Sequence, residues 1–226
     1  MCSEMDSNEE TIAETTLEEI KAMYEITDPA HDFSHIMRVC KSAQKIGMAE
    51  GADMQVLLYA ALLHDAGAES KHSKASAESD ALRLRIAGEF LEKKGIPEDL
   101  RNKVLYAIDV HSFSKGIVPA TEEAKILQDA DRLDAMGAIG IARVFMTGGA
   151  MGRKFYSPED PFCKTRAPND KMWNLDHFFK KILKLESGMH TETARTVARR
   201  RAAVLKRYLG DLQMEIDELI GEEIAE

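Results

Sequence analysis

The sequence lacks any apolar run approaching the about 18 residues that a membrane-spanning helix needs, which excludes an integral helical membrane protein. It has little cysteine: Cys2, Cys40 and Cys163 are odd in number and widely spaced. That excludes a disulfide framework and a cysteine-built zinc site, and suits a reducing compartment. Positive charge is also short, with 30 Lys and Arg against 39 Asp and Glu, a formal net charge of −9. A binder of duplex nucleic acid carries a basic footprint, so that partner is not expected. An anionic substrate would instead need locally placed cations or a metal. The opening Met1–Glu10 is acidic and polar, unlike a secretory signal. These features lead to the expectation of a cytoplasmic protein with no membrane partner.

Strand patterns are nearly absent. The one candidate, Lys115–Val118, is too short to build a sheet. No repeat and no break in composition marks an internal boundary. We therefore expect a flexible acidic arm over residues 1–13 and one all-α domain over 14–226. Hydrophobic residues make up 44% of the chain, enough for a core. Thr16 with Glu19 forms a capping box for a first helix running to about Ile26. Asp28-Pro29 reads as the cap and first-turn proline of a second, which carries Ile36, Val39, Cys40, Ala43, Ile46 and Gly47 at helical spacing and stops near Gly51. Asp53 caps a third. Residues 70–79 read as a loop into a helix ending at Lys94-Gly95, and Pro97 opens one reaching Val110. Thr121 caps a helix bearing Ile126, Leu127, Ala130 and Leu133. Another runs from Ala135 to about Thr147. Residues 150–170 hold three prolines and little periodicity, and loops of that length are often functional. Two helices, Met172–Ser187 and Thr191–Leu219, follow.

The third helix is the informative one. From Val56 to Leu63 it has no polar face, which places it inside the globule. It ends in His64-Asp65, with Gly67 just beyond, as suits a helix C-terminus. A carboxylate there opposes the helix dipole and, if buried, needs a partner. A bound cation would meet both needs and use His64 as a nitrogen ligand. The alternative is that Asp65 pairs with an arginine and His64 is a satisfied core histidine. His35 lies four residues before Val39 and Asp131 four after Leu127, so both point inward. Asp134 falls on a neighbouring line, and Asp129 is ambiguous. Two imidazoles and two carboxylates leave positions open on a six-coordinate ion. This suits manganese, iron, nickel or magnesium better than a closed structural zinc, although zinc stays open.

The order His35, His64-Asp65, Asp131 resembles the H…HD…D pattern of the HD-domain phosphohydrolase superfamily. The local stretches His31–Val39, Leu62–Asp65 and Asp129–Asp134 are similar to its motifs. His111–Ser114 and Gly137–Arg143 resemble the small stand-alone HD hydrolases in particular. The resemblance spans roughly residues 28–210 and implies a single helical bundle of about eight to nine helices. It also implies a metal site of His35, His64, Asp65 and Asp131 with one divalent ion and room for a second. The implied reaction is hydrolysis of a phosphoester or phosphoanhydride bond in a small nucleotide: pyrophosphate release from a (deoxy)nucleoside triphosphate, or a nucleotidase reaction. Asp65 and Asp131 are candidates to orient water, and His111 is a further catalytic candidate. His31, Arg153, Lys154 and His177 are candidates to bind substrate, with Lys164 and Arg166 in the same long loop. The HD-x-x-E-D run of alarmone hydrolases and the GYP signature of cyclic dinucleotide phosphodiesterases are both missing. A nucleotide- or metal-sensing module without turnover is the alternative. Monomer and homodimer both fit.

Overall fold

The structure, a computed structural model, describes residues 14–24, 32–67, 77–112 and 115–222. The described residues form α-helices joined by turns and short 3-10 segments, with no strand among them. The chain divides into two compact units, Met1–Asp131 and Arg132–Glu226.

The first unit contains α1 (Glu14–Ala22), α2 (Phe33–Glu50), α3 (Met54–Leu63), α4 (Ala77–Lys93), α5 (Glu98–Val110) and most of α6 (Glu122–Asp134). Helix α3 is its centre. Val56, Leu57 and Tyr59 to Leu63 are all buried, and α3 packs on both α2 and α5. Each buried Leu or Val contributes roughly 1.5–3 kcal/mol from apolar area removed from water. Asp53 caps α3 as expected, accepting from the Gln55 and Val56 amides at 3.0 and 3.3 Å. A Cβ at Gly47 would stand 2.5 Å from Leu57 Cδ2, so a glycine on α2 permits the close approach of α3.

The starts of the first two helices differ from expectation. Helix α1 begins at Glu14, so Thr16 lies inside it, buried, rather than capping it. Helix α2 begins at Phe33, because the Asp32 carboxylate accepts from the His35 amide at 3.0 Å. Asp28-Pro29, the 1–13 arm and most of the expected 70–79 loop lie outside the described residues.

The second unit contains α7 (Gly137–Ala150), α8 (Asp176–Lys180), two 3-10 turns (Ile182–Lys184 and Glu186–Gly188) and α9 (Glu192–Glu222). The single helix expected over Met172–Ser187 is not formed. Lys181 has φ −131° and ψ −58° and ends α8 after five residues. The apolar spacing nevertheless survives, since Leu175, Phe178, Ile182 and Leu185 are all buried. Short helical turns bring the same faces inward as a continuous helix would. The segment before α8 is braced by two aspartates. Asp160 accepts from the amides of Lys164, Thr165 and Arg166 at 2.9, 2.7 and 3.2 Å. These amide bonds hold its carboxyl down at about 2. Asp176, with a fully buried side chain, takes both Arg166 guanidinium nitrogens at 2.5 and 2.8 Å and the Asn169 amide at 2.6 Å. Arg166 is thereby committed to an ion pair.

Candidate metal centre

Five helices of the first unit contribute polar side chains to one buried cluster. His35 lies in the first turn of α2, where the Asp32 cap fixes the backbone. His64 occupies the C-cap position of α3 and Asp65 follows it. His111 occupies the C-cap position of α5. Asp131 projects from α6, and Arg83 from α4. The His35 and His64 side chains are fully buried, Asp65 nearly so, and Asp131 keeps 30% of its side chain exposed. Gly67 has φ +69°, and a Cβ there would stand 2.2 Å from Ile86 Cδ1 on α4.

His35, His64 and Asp131 form a group able to hold a metal ion, with one ligand atom from each lying within 4.8 Å of the others. His35 Nε2 is 3.7 Å from Asp131 Oδ1 and 3.8 Å from Asp65 Oδ2. His64 Nε2 is also 3.8 Å from Asp65 Oδ2. These separations exceed a hydrogen bond. They fall within the about 4.2 Å that two atoms can span when each lies about 2.1 Å from one ion.

The electrostatics agree. His64 Nδ1 lies 2.8 Å from the Ala61 carbonyl, which can only accept, so Nδ1 carries the proton and Nε2 a lone pair. That Nε2 is buried with no hydrogen-bond partner. Burial pushes the His64 pKa down to about 4, against the opposing pull of the Asp65 carboxylate. The imidazole is therefore neutral near pH 7, the form that ligates metal. Tyr24 steadies the same helix end by donating its hydroxyl to the Leu62 carbonyl at 2.7 Å. The donors of His35, His64 and Asp131 thus fit a divalent cation.

His111 adds a third imidazole. Its Nδ1 lies 2.5 Å from the Ile108 carbonyl, and its Nε2 is 3.8 Å from Asp65 Oδ1. Burial lowers its pKa as well. Gln128 on α6 helps to fix this position, donating its side-chain amide to the Val110 and Ile117 carbonyls at 2.8 and 3.0 Å.

The structure thus brings together His35, His64, Asp65, His111 and Asp131 in the first unit. His31 lies outside the described residues. Asp129 is fully buried, and Asp134, inward as expected, is paired with Arg143 at 2.7 Å. Arg153, Lys154 and His177 belong to the second unit. The Arg153 Nε is buried with no hydrogen-bond partner. The Lys154 backbone bridges to Met172 and Asn174, and its ammonium lies 5.6 Å from the centre of the Trp173 ring. His177 Nδ1 is 3.0 Å from Asp170 Oδ2, and Lys180 reaches the other oxygen of Asp170 at 2.5 Å.

Sequence reasoning missed Arg83. Its Nε lies 3.9 Å from Asp65 Oδ1, and its Nη1 is bound to Asp80 at 2.9 Å. A signal was present, because Arg83 stands four residues before Ala87 and eight before Leu91, both fully buried. That spacing puts an arginine on the inward face of α4.

The HD domain family matches residues 32–136, which include every residue of this cluster. YpgQ from Bacillus subtilis is 34% identical over 192 residues, covering 82% of this chain and 84% of its own. The crystal structure of YpgQ in complex with ADP is similar with a TM-score of 0.68 at 33% identity, covering 88% of this chain and 97% of that one. An HD-superfamily hydrolase from Bacillus thuringiensis has a TM-score of 0.70 at 32% identity, covering 93% and 98%. Among the described residues no helix is long and apolar enough to cross a membrane. The chain belongs to the HD-domain family and is a metal-dependent phosphohydrolase of the HD superfamily.

Proposed function

We propose that this protein hydrolyses a phosphoester or phosphoanhydride bond of a small nucleotide, as a (deoxy)nucleoside triphosphate pyrophosphohydrolase or a nucleotidase. His35, His64, Asp65 and Asp131 hold one divalent ion, with manganese, iron, nickel or magnesium as the fitting metals. The observation that carries the reading is the buried His64 Nε2, held neutral and facing the Asp65 carboxylate with no hydrogen-bond partner. A fully buried imidazole lone pair otherwise costs the desolvation of an unsatisfied acceptor. The nucleotide part of the reading is supported by the ADP complex of YpgQ.

A bound divalent ion supplies Lewis acidity toward phosphoryl oxygens and acidifies water near neutral pH. The chain's own groups do the rest. Asp65 and Asp131 orient water by accepting hydrogen bonds from it. His111, neutral and with its Nε2 lone pair facing Asp65, is placed to accept a proton. The net charge of −9 repels polyphosphates, so local cations must offset it. Arg153 and Lys154, with His177 and His31, are our candidates for substrate contact. A cytoplasmic location and a monomer or homodimer accompany this reading.

A phosphate- and pyrophosphate-release screen over nucleoside mono-, di- and triphosphates with several divalent metals tests the proposal. Metal-dependent release from at least one nucleotide is expected. Metal and nucleotide binding without release from any of them would favour a sensing module instead.

A further inference from the structure

Asp65 presents its two oxygens to two different sets of groups. Oδ2 faces His35 Nε2 and His64 Nε2, at 3.8 Å each. Oδ1 faces His111 Nε2 at 3.8 Å and Arg83 Nε at 3.9 Å. The first set is the proposed metal site. In the second set Arg83 has no catalytic or metal-binding role, and both separations are too long for direct hydrogen bonds. Polar atoms at such distances are commonly joined by a water.

The donors and acceptors of this set define what can join them. His111 Nδ1–H is committed to the Ile108 carbonyl, so its Nε2 accepts. Asp65 Oδ1 also accepts. The Arg83 Nε–H is a buried donor with no hydrogen-bond partner. Two acceptors and one donor match a water, which can donate two hydrogen bonds and accept the one from Arg83. An unprotonated phosphate oxygen cannot serve, because it would meet two acceptors with no hydrogen to donate.

Arg83 is itself held in place. Its Nη1 is bound to Asp80 Oδ1 at 2.9 Å, and Asp80 Oδ2 is 3.1 Å from Lys115 Nζ. Lys115 also donates to the Asp109 carboxylate at 2.7 Å and the Asp109 carbonyl at 2.8 Å. The arginine is thus anchored at one nitrogen, with another turned toward the metal-site carboxylate. We propose that Arg83 is a positioning residue that, through a water shared with His111, fixes the Asp65 carboxylate so that Oδ2 faces the metal. This rests on the proposed metal site and adds to it a residue and a water site.

The test is manganese affinity of the metal-free full-length protein, measured by titration with electron paramagnetic resonance detection. Removing a positive charge near a cation site should by itself tighten metal binding. The charge-keeping Arg83→Lys variant separates geometry from charge, because an ammonium cannot replace the planar fork that serves both Asp80 and the water. Outer groups that orient metal ligands are worth about 10–100-fold in metal affinity. Arg83→Lys should weaken manganese binding by about tenfold while leaving the thermal midpoint of the metal-free protein near that of wild type. Lys115→Met, which loosens only the brace, should give a smaller loss in the same direction. Wild-type affinity in Arg83→Lys together with tighter binding in Arg83→Gln would make Arg83 a bare charge and overturn the proposal. Should Arg83→Lys fail to fold, a crystal structure of the metal-loaded wild type decides. One oxygen within hydrogen-bond reach of Arg83 Nε, His111 Nε2 and Asp65 Oδ1 upholds the proposal, and a direct Arg83–Asp65 hydrogen bond with no oxygen between them overturns it. Failure of wild type itself to bind a divalent ion would sink the metal site instead, which is a distinguishable result.

Discussion

His64 and His111 stand with ring centroids 5.2 Å apart and planes at 78°, each with Nδ1 on the carbonyl three residues earlier in its own helix. Both occupy C-cap positions, where the last carbonyls of a helix lack intrahelical partners. The same bond therefore finishes the helix and fixes the tautomer. Each ring then turns an Nε2 lone pair toward Asp65, His64 to Oδ2 and His111 to Oδ1.

Replacing His64 or Asp65 by alanine should remove the metal. Each variant is expected to lose at least about a hundredfold in metal affinity. Far-UV circular dichroism should be largely retained, because both residues follow α3 rather than build it. Elemental analysis checks this, and wild-type-like metal content in both variants would sink the site.

Acidification should weaken both the fold and metal binding. Folded His64 titrates at about 4 against an ordinary value of 6.5. Between those values the unfolded chain binds more protons, so stability falls as pH drops from 6.5 toward 4 and is full above 6.5. His111 is shifted in the same direction by burial. Urea midpoints of the metal-free protein from pH 7.5 to 4.5 should decline through this window. A midpoint that rises on acidification would contradict the buried neutral histidines.

Neutralising the basic pair tests substrate binding independently of metal. For the Arg153→Ala/Lys154→Ala variant we expect KM for triphosphates to rise about tenfold, roughly 1.4 kcal/mol. The rise should be smaller for monophosphates, and metal content should be unchanged. The kinetics of the double variant across the phosphate series measure this. Equal kinetics with wild type on every substrate would remove the pair from the mechanism.

Arg166→Met should destabilise the second unit, because it leaves the fully buried Asp176 carboxylate without its bidentate partner. Breaking a buried pair typically costs about 3–5 kcal/mol. Urea unfolding of Arg166→Met and of Arg166→Met/Asp176→Asn checks this, with the double variant expected to recover part of the loss.

Much of this arrangement was legible in the order of residues. The all-round apolar character of Val56–Leu63, the Asp53 cap and the helical spacing behind His35 and Asp131 are local signals, and the structure carries each of them. Helix starts set by unrecognised competition were not legible. Asp32 holds the His35 amide, which starts α2 beyond the expected Asp28-Pro29. The 172–187 segment kept its apolar period but not its helix. Asp176, the first residue of α8, is drawn to Arg166 and Asn169, and Lys181 leaves helical geometry. Arg83 was hidden for a different reason. An arginine on an inward face looks like an ordinary helix residue until the carboxylates that meet it, Asp65 and Asp80, are placed by the fold.

The most direct test of the central claim is nucleotide turnover before and after metal removal. Protein freed of metal by chelator and dialysis should release no phosphate or pyrophosphate from nucleoside mono-, di- or triphosphates, and adding manganese should restore release from at least one of them. Full activity in excess chelator, or no release from any nucleotide with any divalent metal, would contradict the account.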